Sequence, residues 1–319
     1  MQNKMTPIQA NDLIKKISNW GRWGKDDQRG ALNFITPAKR VSAARLVQTG
    51  ETVSLALPLA TVAGPDNPTP VVHLMIEDGH DAHLAPASHA LDYIAMSPHG
   101  VTITHIDSLS HIFWQGKMYN GFDAGEVCYK GALKCGIDVA RDGIVSRGVL
   151  LDVAKLRNVD WFSSGDSISA GDLDGAEKQH RVRVEEGDVL LVRTGRPKMR
   201  NERTATGDYH HDGLAGLDAS CLTWLHERKI AILGTDTGAD IIPSGWTGAM
   251  WGFGDDFELP GVIHVGTLVA MGVHLLHACD LEKLATVCSR LGRFEFMFNM
   301  APLILERGTC SPVNPIALF

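Results

Sequence analysis

The segment from His99 to His111 has the residue types and spacing of a metal site. It reads His99-Gly-Val-Thr-Ile-Thr-His105-Ile-Asp107-Ser-Leu-Ser-His111 and holds three imidazoles and one carboxylate. If the residues after Thr104 form a strand, alternation with a period of two places His105 and Asp107 on the same face. Both could then bind one metal ion, the histidine through a neutral ring nitrogen and the aspartate through a carboxylate oxygen.

The third histidine of the motif suits acid–base chemistry. His111 lies four residues beyond Asp107, close enough to share a cavity without binding the metal. The unperturbed pKa of an imidazole lies near neutral pH, which suits a general acid or base. A single histidine is more often a polar surface or core residue, but the spacing His-x-Asp-x-x-x-His favours the metal interpretation.

Further ligands must come from elsewhere in the chain. One histidine and one aspartate leave a divalent ion under-coordinated, because zinc usually takes three protein ligands and a water. His264 follows a Pro-Gly turn at the start of a predicted helix, and His277 ends an apolar strand. These two are the candidates, although each alone could equally be a packed or surface histidine. The histidines of the polar segment 77–89 are typical of a solvated loop.

The residues directly after the motif could form a wall of a substrate pocket. Trp114, Tyr119 and Asn120 lie in a turn-rich aromatic stretch. Together with His99 they are candidates for substrate binding. Packing of the turn is an equally good interpretation of these three residues.

The elements that must position these residues indicate a mixed α/β protein. Thr36-Pro37 predicts the start of a helix, because threonine can cap and proline fits the first turn. Residues 71–76 predict a short apolar strand, and 218–228 an amphipathic helix. The Gly-, Trp- and Pro-rich stretch 241–263 is typical of an ordered lid or a dimer-contact loop.

Composition limits the function classes. The chain has 319 residues, of which 44% are hydrophobic and 21% charged, as in soluble globular proteins. A net charge of -7 argues against a nucleic-acid surface. No apolar run reaches membrane-spanning length, and the start lacks a signal-peptide core. Six scattered cysteines without a Cys-x-x-Cys pair are typical of a reduced protein. We therefore expect a cytoplasmic protein that binds neither nucleic acid nor membrane.

The sequence indicates a single domain. No internal repeat, low-complexity tract or clear boundary interrupts the sequence. We expect a single domain over 1–319, with a helical segment at 1–50.

The motif resembles a known family. His-Gly-x-x-x-Thr-His-x-Asp-x-x-x-His, followed by Gly116-x-x-Tyr-Asn-Gly121, is similar to the cyclase family of metal-dependent hydrolases, which includes bacterial kynurenine formamidases and isatin hydrolases. Other segments carry the resemblance over most of the chain: Trp23-Gly-x-x-Asp-x-x-Gly-x-x-Asn33, Arg147-Gly-Val-Leu-Leu-Asp152, Gly187-Asp-Val-x-x-x-Arg-Thr-Gly195, Gly234-x-Asp236, Leu259-Pro with His264, and Gly308-Thr-x-Ser-Pro-Val-Asn-Pro315.

The resemblance implies a swivelling β/β/α fold, assembled as a homodimer or homotetramer. It also implies an amidohydrolase or lactonase, which cleaves an amide, lactam or lactone bond of a small molecule with metal-activated water. His105 and Asp107 match metal ligands, and His264 matches a later ligand histidine. His111 matches the catalytic histidine, which would take a proton from the water and return it to the leaving group. His277 falls where the family places an acidic ligand.

Two departures from the family pattern bear on the number of metal ions. Dinuclear members carry another ligand histidine four residues before the position of His105, where this chain has Val101. His99 is two residues out of register, which is roughly 6–7 Å along a strand. Both this change and the imidazole at 277 remove the capacity to bridge two ions. We therefore predict a single divalent ion, zinc or manganese. Its four ligands are His105, Asp107, His264 and His277.

Two other function classes stay open. One is a metal-dependent lyase or cyclase that acts on a small cyclic substrate and uses the ion to stabilise an enolate. The other is a catalytically silent metal-binding protein with an altered ligand set. His111 argues against the second, because a protein that only binds metal needs no base beside it. Formamides, imides or lactams, and lactones are all compatible substrates.

Overall fold

A computed structural model describes residues 5–244 and 261–319. Most of the segment predicted as a lid or dimer-contact loop, together with the motif residues Leu259-Pro260, lies outside the described residues. The α-helices are α1 (Pro7–Lys16), α2 (Pro37–Ala44), α3 (Val153–Leu156), α4 (Ala170–His180), α5 (Arg196–Thr206), α6 (Ser220–Arg228), α7 (Val262–His264, continuing as a π-helical segment, Val265–Met271) and α8 (Glu282–Leu291).

The strands are short and spread over the chain. They are β1 (Thr52–Ser54), β2 (Val72–Glu77), β3 (Leu91–Ala95), β4 (His105–Asp107), β5 (Val127–Cys128), β6 (Gly131–Ala132), β7 (Ile144–Asp152), β8 (Ser167–Ile168), β9 (Val189–Arg193), β10 (Gly216–Leu217), β11 (Ile232–Thr235), β12 (His274–His277), β13 (Glu295–Met300), β14 (Cys310–Pro312) and β15 (Ile316–Leu318). Short 3-10 turns cover Gly30–Phe34, Ala82–Leu84, Tyr119–Gly121, Ala124–Glu126 and Ile137–Ala140.

Nine of the described strands form one mixed sheet in the order β1-β15-β13-β7-β9-β11-β12-β4-β14. The four strands β7, β9, β11 and β12 are parallel, and the outer pairs on both sides are antiparallel. Three further pairs lie apart from this sheet: β8–β10, β2–β3 and β5–β6. The mixed α/β class predicted from the sequence is confirmed.

The central strands are apolar on both faces because each face is covered by a separate core. Along β9, Leu190 joins one hydrophobic cluster and Leu191 the other, as the period-two alternation of a strand requires. On β12, Leu275 and Leu276 divide in the same way. Helices α4 and α6 pack in the first cluster, and α8 packs in the second. Such double coverage is typical of parallel strands.

Capping residues fix the helix starts that the sequence predicted. Thr36 accepts a hydrogen bond from the backbone N–H of Lys39, and Pro37 takes the first position of α2. The predicted helix over 218–228 is confirmed as α6, with Leu222 and Leu225 buried. Gly272 ends the π-helical segment with a positive φ of 66°, and an added side chain there would collide with Tyr119. This turn directs the chain into β12 and toward His277.

The described residues contain no helix long and apolar enough to span a membrane. All six cysteines are free. The assignment of 1–319 to a single domain stays a prediction.

Candidate metal centre

Two neighbouring strands and the loops beside them form the centre. β4 lies between β12 and β14, with His105 directly opposite His277 and Asp107 opposite Leu275. His105 and Asp107 are alternate residues of one strand, and their side chains approach within 3.5 Å (Nε2 to Oδ1). The prediction that they share a face is confirmed.

Four imidazoles surround the carboxylate of Asp107. The Nε2 atoms of His99 and His105 lie 3.4 Å and 3.5 Å from Oδ1. The Nε2 atoms of His277 and His111 lie 3.0 Å and 4.0 Å from Oδ2. Residues that lie more than 160 positions apart in the sequence therefore meet at one buried acid.

The hydrogen bonds around the centre leave ring nitrogens free to bind a cation. The Nδ1–H of His105 donates to the carbonyl of Ile103 at 2.7 Å, and the Nδ1–H of His264 donates to Asp240 at 2.6 Å. When these rings are neutral, Nε2 therefore carries a lone pair. Within the described residues, neither oxygen of Asp107 and neither nitrogen of His277 has a hydrogen-bond partner. A buried carboxylate beside imidazole nitrogens that carry lone pairs is a suitable place for a cation, because buried charges are paired or coordinate a metal.

Two overlapping groups of side chains have the spacing of metal ligands. Asp107, His264 and His277 form one group, and His99, Asp107 and His111 form the other. In each group the ligand atoms all lie within 4.8 Å of one another. Asp107 belongs to both groups. His105 lies outside both groups, although its Nε2 is near Asp107.

The titration behaviour of the centre follows from burial and from the mutual proximity of its groups. Burial raises the pKa of Asp107, but the imidazoles of His105 and His277 outweigh this and hold it well below its usual range. Burial lowers the pKa of His277 to about 4, against the pull of Asp107. Burial also disfavours the charged form of His264, but the bond to Asp240 raises its pKa. Before metal binding, His264 is therefore the most basic imidazole among those whose pKa is shifted.

One side of the centre is open. His105, Asp107 and His277 are at most 3% exposed, whereas His99 is 32% and His111 27% exposed. The rings of His99 and His111 stack with centroids 4.1 Å apart. Burial, and then the other histidines, lower the pKa of His111 to about 4 despite Asp107. At neutral pH His111 is therefore an uncharged base on the accessible side.

Asp240 orients His264, a role that no sequence pattern indicated. Its carboxylate accepts the backbone N–H groups of Ile263 and His264 as well as the His264 ring N–H. Gly261 makes room for it, because an added Cβ would lie 2.1 Å from the Asp240 side chain. The sequence allowed only the general expectation that a metal-binding histidine donates its other ring N–H to a carboxylate or carbonyl.

Cys310 is a second neighbour that the sequence did not reveal. Its sulfur lies 3.6 Å from Nδ1 of His99, on a strand that pairs Cys310 with Asp107. Burial, and then the charge of Asp107, raise the pKa of this thiol to about 12. Cys310 is therefore a neutral group that holds the far side of the His99 ring.

The other predicted pocket residues, Trp114, Tyr119 and Asn120, contact the loop at 20–30 or the hydrophobic core. Tyr119 is buried and donates its hydroxyl to Asp27 at 2.9 Å. The Asn120 amide donates to the backbone carbonyls of Gly24, Lys25 and Asp27, and its oxygen accepts from Gly21. These two residues tie the loop at 20–30 to the motif. Trp114 is partly buried against the larger core.

Comparison with known proteins identifies a family that shares this architecture. A family model described as "Putative cyclase" matches residues 33–239, more than half of the chain. A crystal structure described as a novel cyclase is 32% identical, covers 95% of this chain and 99% of its own, and superposes with a TM-score of 0.84. Comparison with curated protein sequences finds no match.

Two more distant structures share the fold. Isatin hydrolase A from Ralstonia solanacearum is 19% identical, with a TM-score of 0.55 over 88% of this chain and 95% of its own. An isatin hydrolase bound to the product analogue thioisatinate is 21% identical, with a TM-score of 0.56 and the same coverage. The family resemblance predicted from the His99–His111 motif is confirmed by the match over 33–239, and the chain belongs to the cyclase family.

Proposed function

We propose that the chain is a metal-dependent hydrolase that cleaves an amide, lactam or lactone bond of a small molecule. The observation that supports this most directly is the state of Asp107. Its carboxylate is buried, accepts no hydrogen bond from the described residues, and faces imidazole nitrogens. An isolated buried charge is costly unless it is paired or coordinates a metal, and this donor set fits a divalent cation.

The proposed ligands are those that the sequence suggested. His105, Asp107, His264 and His277 would hold one ion. Three neutral imidazoles and one carboxylate suit zinc or manganese. The hydrogen bonds at Nδ1 of His105 and His264 support this set, because they leave Nε2 to bind the ion.

The proposed reaction assigns separate tasks to the buried and the exposed groups. A bound divalent ion supplies an acidified water and a polarised scissile carbonyl. His111 lies on the open side and is uncharged at neutral pH, so it can accept a proton and return it to the leaving nitrogen or oxygen. His99, stacked on His111, is the predicted substrate contact that this geometry supports.

Metal content is the first test. The full chain is reconstituted with zinc or manganese and compared with His105→Ala by elemental mass spectrometry. The matched control is His180→Ala, which removes a buried histidine that stacks on Phe294 away from the centre. We expect one equivalent of metal, lost in His105→Ala and kept in His180→Ala. Two equivalents would contradict the single ion and bring in His99 and His111, and none after reconstitution would contradict the proposal.

Substrate class is the second test. Formamides, cyclic imides, lactams and lactones are screened with the loaded protein, and isatin is included because two proteins of the same fold are isatin hydrolases. The reaction is run in water labelled with oxygen-18. Hydrolysis must place one solvent oxygen in the product. A product without the label would favour the lyase or cyclase class instead.

The role of His111 is tested separately. Removing a general acid–base typically costs about 10²–10⁴-fold in rate, so His111→Ala should lower kcat by such a factor and keep its metal. Full activity in this variant would contradict the assignment. Loss of metal would place His111 among the ligands.

A further inference from the structure

The π-helical segment Val265–Met271 lies between two of the proposed ligands. It begins directly after His264, and Gly272 turns its end into β12, whose last residue is His277. Its seven residues are all buried. Wide turns of this kind are rare and are often found at functional sites. The chain must therefore hold this turn against the commoner α-helical geometry.

Segment 19–31 supplies hydrogen-bond donors to the end of this helix. The last turn of a helix leaves carbonyl groups without a partner inside the helix. Here the four consecutive carbonyls of 269–272 accept hydrogen bonds from segment 19–31 at 2.7–2.9 Å. Residues near the start of the chain therefore cap the helix. Nε1 of Trp20 donates to Val269, the backbone N–H and Nδ2 of Asn19 donate to Ala270 and Met271, and the backbone N–H of Ala31 donates to Gly272.

Trp20 takes the carbonyl that an α-helical ending would use. In such an ending the carbonyl of Val269 accepts a backbone N–H from residue 272 or 273. Here the N–H groups of Gly272 and Val273 both donate to the carbonyl of Thr267 instead. The Val269 carbonyl is left for the indole N–H of Trp20, at 2.7 Å. The wide turn and the contact with Trp20 therefore favour each other.

The same segment is also attached to the turn that follows the motif. The backbone N–H of Gly21 donates to Oδ1 of Asn120 at 2.7 Å, and the amide of Asn120 donates back to carbonyls of the segment. Segment 19–31 therefore contacts both stretches that carry the proposed active groups. One is the helix that continues from His264, and the other is the turn that follows His111.

We propose that segment 19–31 is a positioning element of the metal centre, in which Asn19 and Trp20 hold the wide turn between His264 and His277. This role rests on the proposed function, because it takes these two histidines as ligands of one ion. β12 is fixed on both sides by its pairing with β11 and β4. The turn therefore sets the direction of His264 relative to a fixed His277.

Loss of this support should rotate one ligand against the other. An α-helix turns by about 100° per residue. If the wide turn relaxes to α-helical geometry, the start of the helix turns by about this angle against β12, and His264 turns with it. His264 and His277 then no longer face one ion. Metal affinity should therefore fall although every proposed ligand is still present.

The test compares the same substitution at two tryptophans. Trp20→Phe removes the donor to Val269, and Trp224→Phe removes a donor to Asp174 on α4, in each case a hydrogen bond of 2.7 Å. Trp224 is 6% exposed and Trp20 42%, so the control should cost at least as much stability. The Kd values of zinc and manganese are measured on the full chain by competition with a chelator. Urea unfolding gives the stability of the metal-free chain.

We expect metal binding about tenfold weaker in Trp20→Phe, the lower end of the range for residues that orient a ligand. Trp224→Phe should keep the wild-type affinity. Both substitutions should lower the stability of the metal-free chain, whereas a role in stability alone predicts equal metal affinity in the two variants. Asn19→Ala removes the donor to Met271 and gives the same test if Trp20→Phe fails to fold.

The possible failures can be told apart. Wild-type metal affinity in both Trp20→Phe and Asn19→Ala would overturn the positioning role and leave the proposed hydrolase intact. An equal loss of affinity in Trp224→Phe would also overturn it. A wild type that binds neither zinc nor manganese would contradict the proposed function, and the positioning role with it.

Discussion

Two buried aspartates at the ends of β11 and β4, which β12 separates in the sheet, show what distinguishes a structural acid from a candidate ligand. Asp236 follows β11 and is fully buried. It accepts the backbone N–H groups of Thr194 and Gly195 and the hydroxyl of Thr194, at 2.7–3.0 Å. Asp107 is 1% exposed and accepts no hydrogen bond from the described residues. The two carboxylates have the same burial and opposite hydrogen bonding.

This difference separates two kinds of compensation for a buried charge. The chain supplies every donor that Asp236 needs, and those donors close the turn between β9 and α5. Around Asp107 the chain supplies imidazoles, and the Nε2 atoms of His105 and His264 carry lone pairs when those rings are neutral, so they cannot replace water as donors. The folded chain itself therefore stabilises the buried charge of Asp236. The buried charge of Asp107 is to be stabilised by a ligand that binds after folding.

Neutralising Asp107 should have the largest effect. Asp107→Asn keeps the side-chain shape but removes the charge, so we expect no bound metal and activity at background. At a metal concentration a thousand times Kd, binding stabilises a protein by about 4 kcal/mol. Wild type should therefore gain a corresponding rise in Tm with zinc or manganese, and the variant none. A metal-dependent rise of normal size in Asp107→Asn would remove the distinction between the two aspartates.

The next largest effect concerns stability alone. Asp236→Ala leaves two backbone N–H groups and a hydroxyl buried without an acceptor, and each unsatisfied group costs about 1–3 kcal/mol. We expect a loss of about 3 kcal/mol in the free energy of unfolding by urea, with the metal-dependent rise in Tm retained. Asp123→Ala is the control, because Asp123 is an exposed acid and its removal should cost far less. Loss of metal from folded Asp236→Ala would contradict the comparison.

A smaller effect is expected where one carboxylate acts through a ligand. Asp240 holds the ring of His264, and loss of such a partner typically costs about 10–100-fold in metal affinity. Asp240→Asn should weaken metal binding within that range, measured by competition with a chelator. Unchanged affinity would mean that His264 is not a ligand.

The smallest effect is on the pH dependence of metal binding. His264 has a raised pKa before metal binds, so binding through Nε2 must release its proton. Affinity should rise by about tenfold per pH unit below that pKa and level off above it. In Asp240→Asn the pKa falls, and the level region should begin at lower pH. An identical profile in both proteins would contradict the role given to Asp240.

Local rules predicted the parts of the centre that lie on one strand. Period-two alternation placed His105 and Asp107 together, and β4 has that arrangement. Asp240 and Cys310 escaped prediction because their contacts with His264 and His99 depend on chain turns and strand pairing that no local pattern encodes. For Asn120, its position after the motif predicts either a pocket wall or packing of the turn. Its partners, the carbonyls of residues 24–27, lie almost a hundred positions earlier.

The fold likewise has features that local sequence rules predict and features that they do not. Helix starts followed from Thr and Pro at capping positions, as at α2. The predicted strand over 71–76 exists as β2, but an apolar sequence alone did not show that its side chains would be exposed. Sheet order was beyond local reasoning, because β15 inserts between β1 and β13 and joins segments from the two ends of the sequence.

That insertion has a consequence for biosynthesis. Among the described strands, β1 pairs with β15 alone, so residues 52–54 have no partner in this part of the structure until residues 316–318 have been translated. The parallel centre, β7 to β12, can assemble earlier, since it needs only residues 144–277. A nascent chain would therefore hold an incomplete sheet edge during most of its synthesis. Late, long-range pairing of this kind slows folding and exposes edges to aggregation, so we expect recovery of folded protein to depend on chaperone supply during translation.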